Sequence, residues 1–267
     1  MIASKPIRIL LAGVLAILSS GFARGESAPA RLTFEVATVK PVEPDAKAGR
    51  YILMEGNNRF VAKNYNLKLL IAAAYDVSAK VISGGPGWVE SERFDIVALT
   101  PGQTKPRRQD QMAMLRSLLE DRFKLTFHRE ERAFAIYELV VAKGGPKLKH
   151  SEAVANEAGT LIGTVYPDHI HLPARNASMA EFVSMLQRAL LDRPVVDKTG
   201  INGKFDFDLD WAPDETQFGG EVPVAPTDAS SPPFFVAIEQ QLGLHIDAKR
   251  GPVSALIVDS AQRPSAD

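Results

Sequence analysis

The sequence predicts an α+β fold built as a tandem duplication, with helix-plus-β-hairpin units forming antiparallel sheets that carry helices on one face. Three observations predict it. "RFVAKNYNLKLLIAAAYDV" (Arg59 to Val77) aligns without gaps on "HLPARNASMAEFVSMLQRA" (His171 to Ala189), at an offset of 112 residues. In both stretches an Asn or Ser precedes apolar residues spaced i, i+3, i+4, i+7, which is one face of an amphipathic helix. In both halves a glycine-containing turn then leads into a strand that opens Phe-Asp-apolar: Phe94-Asp95-Ile96 and Phe205-Asp206-Phe207.

The chain opens with a basic start (Lys5, Arg8), an apolar run from Ile9 to Leu18 and then small residues. These are the three parts of a secretory signal peptide over residues 1–30, with cleavage expected near 23 or 30. The run is well short of the ~20 apolar residues that span a bilayer, and no later segment is apolar enough either. The expected location is therefore periplasmic or secreted, with no transmembrane segment after cleavage. The 267 residues include no cysteine, so disulfides, an acylated lipoprotein cysteine and thiol nucleophiles are all excluded. With 31 basic and 32 acidic residues scattered along the chain, the basic face that nucleic acid requires is missing.

The first half is expected over residues 31–150. Leu67, Leu70, Ile71 and Ala74 form the buried face of its first helix, with Asn66 at the N-cap. "GPGWVESERFDIVAL" (Gly85 to Leu99) supplies the turn and strand. "QDQMAMLRSLLEDRFKLTFHREERAFAIYELVVA" (Gln109 to Ala142) reads as a helix to about Asp121 followed by a hairpin. A polar joint around Lys149 to Gly159 leads to the second half, residues 160–267. There Met179, Phe182, Val183 and Leu186 repeat the helix face, and Ser178 with Glu181 forms a capping box. "KTGINGKFDFDLDW" (Lys198 to Trp211) repeats the turn and strand. The stretch 212–233, rich in proline, reads as a mobile loop. Ser231 and Pro232 then start a helix that Gly243 stops, and a second hairpin follows, with Leu244 and Ile246 matching Leu125 and Phe127.

Several motifs invite a chemical reading. Lys198-Thr199-Gly200 is a signature of penicillin-recognising enzymes, but the Ser-x-x-Lys that supplies their nucleophile occurs nowhere. It falls on the turn of the repeat. Asp206, Asp208 and Asp210 alternate with apolar residues, so they share one strand face at ~6.6 Å spacing, whereas a calcium loop curls its ligands onto one ion. His169 and His171 would share a strand face without an evident third ligand. "KGGPKLK" lacks the phosphate-loop pattern and reads as a turn. No metal site and no cofactor are expected.

The ordered motifs "GGPGWVESERFDI", "MLRSLLEDRFKLTFHRE", "GGPKLK", "RPVVDKTGINGKFDF" and "LGLHIDAKRGPVSALIVDSAQRPSAD" resemble those of a large exported family of unknown function abundant in soil bacteria. The likeness spans essentially the whole mature chain, although the terminal Asp stands where the family more often ends in Asn. The family carries no established activity, so the resemblance implies no catalytic residue. Some relatives are fused to membrane metallopeptidases of the antibiotic-sensor type, which implies a sensing or interaction role outside the cytoplasm. The helix-hairpin units also resemble, more faintly, small α/β modules of outer-membrane secretins and receptors.

The expectation is thus a non-enzymatic envelope module that binds a protein partner, such as a metallopeptidase of that type, or a small ligand. Trp88, Arg122 and His128, near turns and hairpin starts, are the candidate binding residues. The competing class is an envelope hydrolase, with Asp95, Asp197 or Asp206 as acid and base if two of them meet in a cleft. A structural role at the cell wall is the third.

Overall fold

Asn66 and Ser178 open helices at both places where the sequence puts them. The Asn66 side chain accepts the Leu69 N–H at 2.9 Å, and Ser178 and Glu181 complete the reciprocal capping box. The computed structural model describes residues 31–43, 49–153, 159–220 and 222–265; the expected leader lies outside them. The first lobe contains β1 (Val36–Pro41), β2 (Tyr51–Glu55), β3 (Arg59–Asn66), α1 (Leu67–Tyr75), β4 (Ile82–Gly84), α2 (Trp88–Ser91), β5 (Arg93–Leu99), α3 (Arg108–Phe123) and β6 (Thr126–Val141). The second contains β7 (Lys149–His150), β8 (Thr160–Leu161), β9 (Thr164–Val165), β10 (Ile170–Ala177), α4 (Met179–Met185), β11 (Val195–Asp197), β12 (Phe205–Trp211), α5 (Phe234–Leu242) and β13 (Leu244–Ser260).

The first lobe's sheet runs β1-β5-β3-β2 and is antiparallel throughout. The second lobe's runs β7-β12-β10-β8, with β9 also on β10, and is antiparallel too. Mixed helices and antiparallel sheets make this an α+β fold. The local hairpins expected after α3 and α5 do not form, and that expectation is corrected. Each stretch is one long strand, and β6 and β13 pair with each other from Thr126–Ser260 to Val141–Leu244. Nothing in 126–141 favours a turn, so its alternation runs on unbroken. Gly251-Pro252 in β13 resembles a turn signal, yet a proline fits a strand whose N–H points to an open edge. Two short parallel pairings complete this third sheet, β11 on β6 and β4 on β13. The two halves therefore share a sheet, a β6–β13 ribbon.

The ribbon closes two separate cores. Leu256 and Val258, near the end of β13, join Phe60, Ile71, Phe94, Ile96, Leu115 and Phe123 in the first. Leu139 of β6, with Leu244 and Ile246 of β13, joins Phe182, Leu186, Leu209, Trp211 and Phe234 in the second. The glycine-rich turn is structural: Lys147 N–H donates to the Leu242 carbonyl at 2.8 Å, capping α5. Gly243, at φ +63°, lies so close to the Gly145 carbonyl that a Cβ there would collide with it. On the helix side the lobes meet at Asp76, whose carboxylate accepts from Ser184 Oγ and, at 2.7 Å, from Arg188 Nε in a π-helical turn.

Candidate functional site

The local geometry of the Phe-Asp motif settles where its carboxylates go. In β3 the register slips between Ala62 and Tyr65, and in β10 between Ala174 and Ala177. At each bulge an asparagine takes a left-handed conformation, Asn64 at φ +60° and Asn176 at φ +50°, which asparagine tolerates better than most side chains. The freed amide is bound in each case by the motif aspartate. Asn64 N–H donates to Asp95 Oδ1 at 3.0 Å, and Asn176 N–H to Asp206 Oδ1 at 2.8 Å. The other Asp95 oxygen accepts from Lys63 Nζ at 2.7 Å. The Asn176 amide, then the Ser151 hydroxyl and the charges of Arg175 and Lys149, hold the Asp206 carboxyl below the usual aspartate range. Asp197 forms an Asx turn, accepting Thr199 N–H at 2.9 Å and Thr199 Oγ1 at 2.7 Å. Asp95, Asp197 and Asp206 thus stand on three different sheets, and no two of them meet. The Lys198-Thr199-Gly200 triplet is part of this turn, with Lys198 N–H donating to Leu139 O at 2.8 Å.

Trp88, a candidate binding residue, lies in the first core. Its ring is 9% exposed, stacked 6.4 Å from Phe123 and edge-on to Phe94. The turn before it closes down on Val258, folding the indole into the core. The Arg263 guanidinium covers its outer side, 5.4 Å from the ring, while pairing with Glu92 at 2.6 Å. Arg122 donates to the Ala37 carbonyl at 3.1 Å and borders a cleft of about 190 Å³ with Phe34, Ser117 and Asp121. His128 is exposed on β6, with Nδ1 2.8 Å from Asp259. Trp88 thus lies in a core, Arg122 at the end of α3 and His128 on the exposed stretch of β6.

What the structure does assemble is a pair of corresponding sheet faces that differ in their chemistry beyond the Phe-Asp motif. In the second lobe the face turned away from the core carries Asp206, Asp208 and Asp210 of β12 beside His171 and Arg175 of β10. Arg175 holds both Asp208 oxygens at 2.8 and 3.2 Å, and His171 Nδ1 lies 2.8 Å from Asp210. A polar recess of about 220 Å³ bordered by Lys149, Ser151, Thr160 and Asp206 adjoins it. Among the described residues no group of three His, Asp or Glu is arranged to hold a metal ion. His169 pairs with Asp168 at 2.8 Å and stacks on Tyr166.

In the first lobe the positions corresponding to Asp208 and Asp210 are Val97 and Leu99. Cross-strand pairing sets Val36 beside Leu99, and Thr38, Val97, Val61 and Leu53 in one row. Val36 is 60% exposed, Tyr51 42%, Leu53 40% and Leu99 39%. Five of these residues were missed as site candidates: Val36, Tyr51, Leu53, Val97 and Leu99. The signal was in "RFDIVAL", which is apolar on both faces after Asp95, whereas "FDFDLDW" alternates to its end. These exposed apolar residues border Val61, which is 1% exposed, and the Arg59–Glu55 ion pair beside Leu99; exposed apolar patches commonly mark interaction surfaces.

A family profile described as "Protein of unknown function (DUF3738)" matches residues 68–261. The chain belongs to this family. No curated protein and no solved structure matches it.

Proposed function

We propose that the chain is an exported, non-enzymatic module of the cell envelope that binds a protein partner across the outer face of its first sheet. The carrying observation is the internal contrast: where the second lobe's face pairs Asp208 and Asp210 with Arg175 and His171, the first lobe's has Val97 and Leu99, with Val36, Tyr51 and Leu53 exposed beside them. An aliphatic face with Tyr51 at its rim suits a protein surface better than a small polar ligand. The resemblance to relatives fused with membrane metallopeptidases of the antibiotic-sensor type supports such a peptidase as the partner. The matched bulges, each with its Asn and Asp, support an origin of the lobes as copies of one unit. Carboxylate hydrolysis draws no comparable support, because its three candidates are separated and already committed to local bonds.

The test is affinity capture from envelope extract with the wild-type protein and with Leu53→Glu/Leu99→Glu, identifying bound proteins by mass spectrometry. Loss of a specific partner from the variant, at unchanged circular dichroism, supports the reading. An identical capture profile for the two proteins defeats it, and captured muropeptides would favour the cell-wall role.

A further inference from the structure

The two long edges of the β6–β13 ribbon are not alike. Along one edge β6 meets only β11, at Tyr137–Leu139, where Tyr137 N–H donates to Pro194 O and Lys198 N–H to Leu139 O, both at 2.8 Å. Tyr137 and Leu139 therefore point their backbone groups outward. The pairing with β13 is unbroken from Phe127 to Val141, so the alternation of an antiparallel ladder carries the same orientation to Phe127, Arg129, Glu131, Ala133 and Ala135. No strand pairs with this stretch among the described residues, and Arg129, Glu131, Ala133 and Ala135 are exposed. On the opposite edge the residues of β13 in phase with Ala248, which faces Tyr137, are Arg250, Pro252 and Ser254. Pro252 offers no N–H to an incoming strand, a standard protection of an edge. The edge of β6 has no such block.

The charges on that edge fit another copy of itself. Arg129 and Glu131 have side chains on the ribbon face shared with Phe127, whereas His128, Glu130 and Arg132 lie on the other. If β6 met its own copy antiparallel, centred on Glu130, then Arg129 would face the copy's Glu131, Glu131 the copy's Arg129, and Phe127 the copy's Ala133. The same alignment brings outward-pointing residues opposite outward-pointing ones, as ladder hydrogen bonds require. Glu130 would meet its own copy at the axis, but each carries Arg132 at 2.7 Å, which offsets the repulsion. Opposite charges directly across a strand pair stabilise it and like charges destabilise it.

We infer that the β6 edge between Phe127 and Ala133 is a homodimer interface, formed by antiparallel addition of this strand to the same strand of a second copy. Two copies of the ribbon then share one continuous sheet about a two-fold axis, the symmetry that a self-complementary patch dictates. The surface is separate from the apolar face of the first sheet, so partner capture and self-association are independent properties.

The experiment is sedimentation equilibrium of the purified protein over a concentration series, at low and moderate salt. The expected result is a species of twice the monomer mass. Glu131→Arg sets arginine against arginine at both ends of the interface and should raise the dimer dissociation constant at least tenfold. The double variant Arg129→Glu/Glu131→Arg recreates the opposite pairs and should recover most of the loss. Glu131→Pro removes only an outward N–H that the folded chain does not use, so it should give a folded monomer by circular dichroism. A wild-type protein that is monomeric at every concentration overturns the inference. So does a dimer that Glu131→Pro leaves intact and Leu53→Glu abolishes, which would place self-association on the apolar face instead.

Discussion

The outer faces of the two lobe sheets share a framework and differ in what stands on it. Asp95 and Asp206 do the same work, each binding the free amide of a left-handed asparagine. One strand position later the lobes part: Val97 and Leu99 on one side, Asp208 and Asp210 on the other. In the second lobe each of those carboxylates has a basic partner on β10, Arg175 or His171, so the face is complete in water. In the first lobe the corresponding residues leave aliphatic surface exposed. The residues that build the fold are thus separable from the residues that set its surface, and the Phe-Asp motif belongs to the first class.

The largest effects should come from the two tryptophans, one to each core. Trp211 is 2% exposed, and its indole N–H donates to Gln217 at 2.8 Å. Trp211→Ala should cost about 5 kcal/mol, the upper end for such truncations, because it also strands a buried amide. Trp88→Ala, at a site closed on one side by a mobile type of side chain (Arg263), should cost nearer ~3 kcal/mol. Urea denaturation measures both, and the reverse order would break the comparison.

Next come the bulges. Asn64→Val and Asn176→Val place a β-branched residue at positive φ, and each should lose roughly 1–2 kcal/mol. Near-equal losses sharpen the equivalence of the two bulges. A large loss at one and none at the other would show that only one of them is held by its asparagine.

The smallest effect is electrostatic and confined to acid. The folded-state Asp206 carboxyl titrates below its unfolded value of about 3.9. Its stabilising contribution is therefore present above that value and lost as pH falls through the folded one. Asp206→Asn should flatten the acid limb of a stability–pH curve below about pH 4. An unchanged limb would mean that the bulge does not depend on the charge.

How much of this was legible depends on the range of the interaction. The caps at Asn66 and Ser178 and the stop at Gly243 depend on neighbours in the chain, and the sequence displays them. The ribbon does not: Leu125 to Val141 and Leu244 to Ser260 are separated by the rest of the second lobe, and each alone reads like a local hairpin. The same holds for Trp88, whose burial depends on Arg263 and Val258 at the far end of the chain. Among the site candidates, the carboxylates were visible as residues but not as amide acceptors, because bulge geometry is not written in a strand's alternation. The apolar face was written there, in the two-sided pattern of β5.

The crossed ribbon also sets a timetable. Leu256 and Val258 complete the first core, and the Gln262 N–H donates to the Phe123 carbonyl at the end of α3 at 2.7 Å. A chain made from its N-terminus therefore cannot finish its first lobe until residues 256–262 exist. The two lobes must close together in a late, non-local step, the kind of pairing that folds slowly. Without residues 256–262 the first core would lack Leu256 and Val258, and the end of α3 would lack its bond from Gln262.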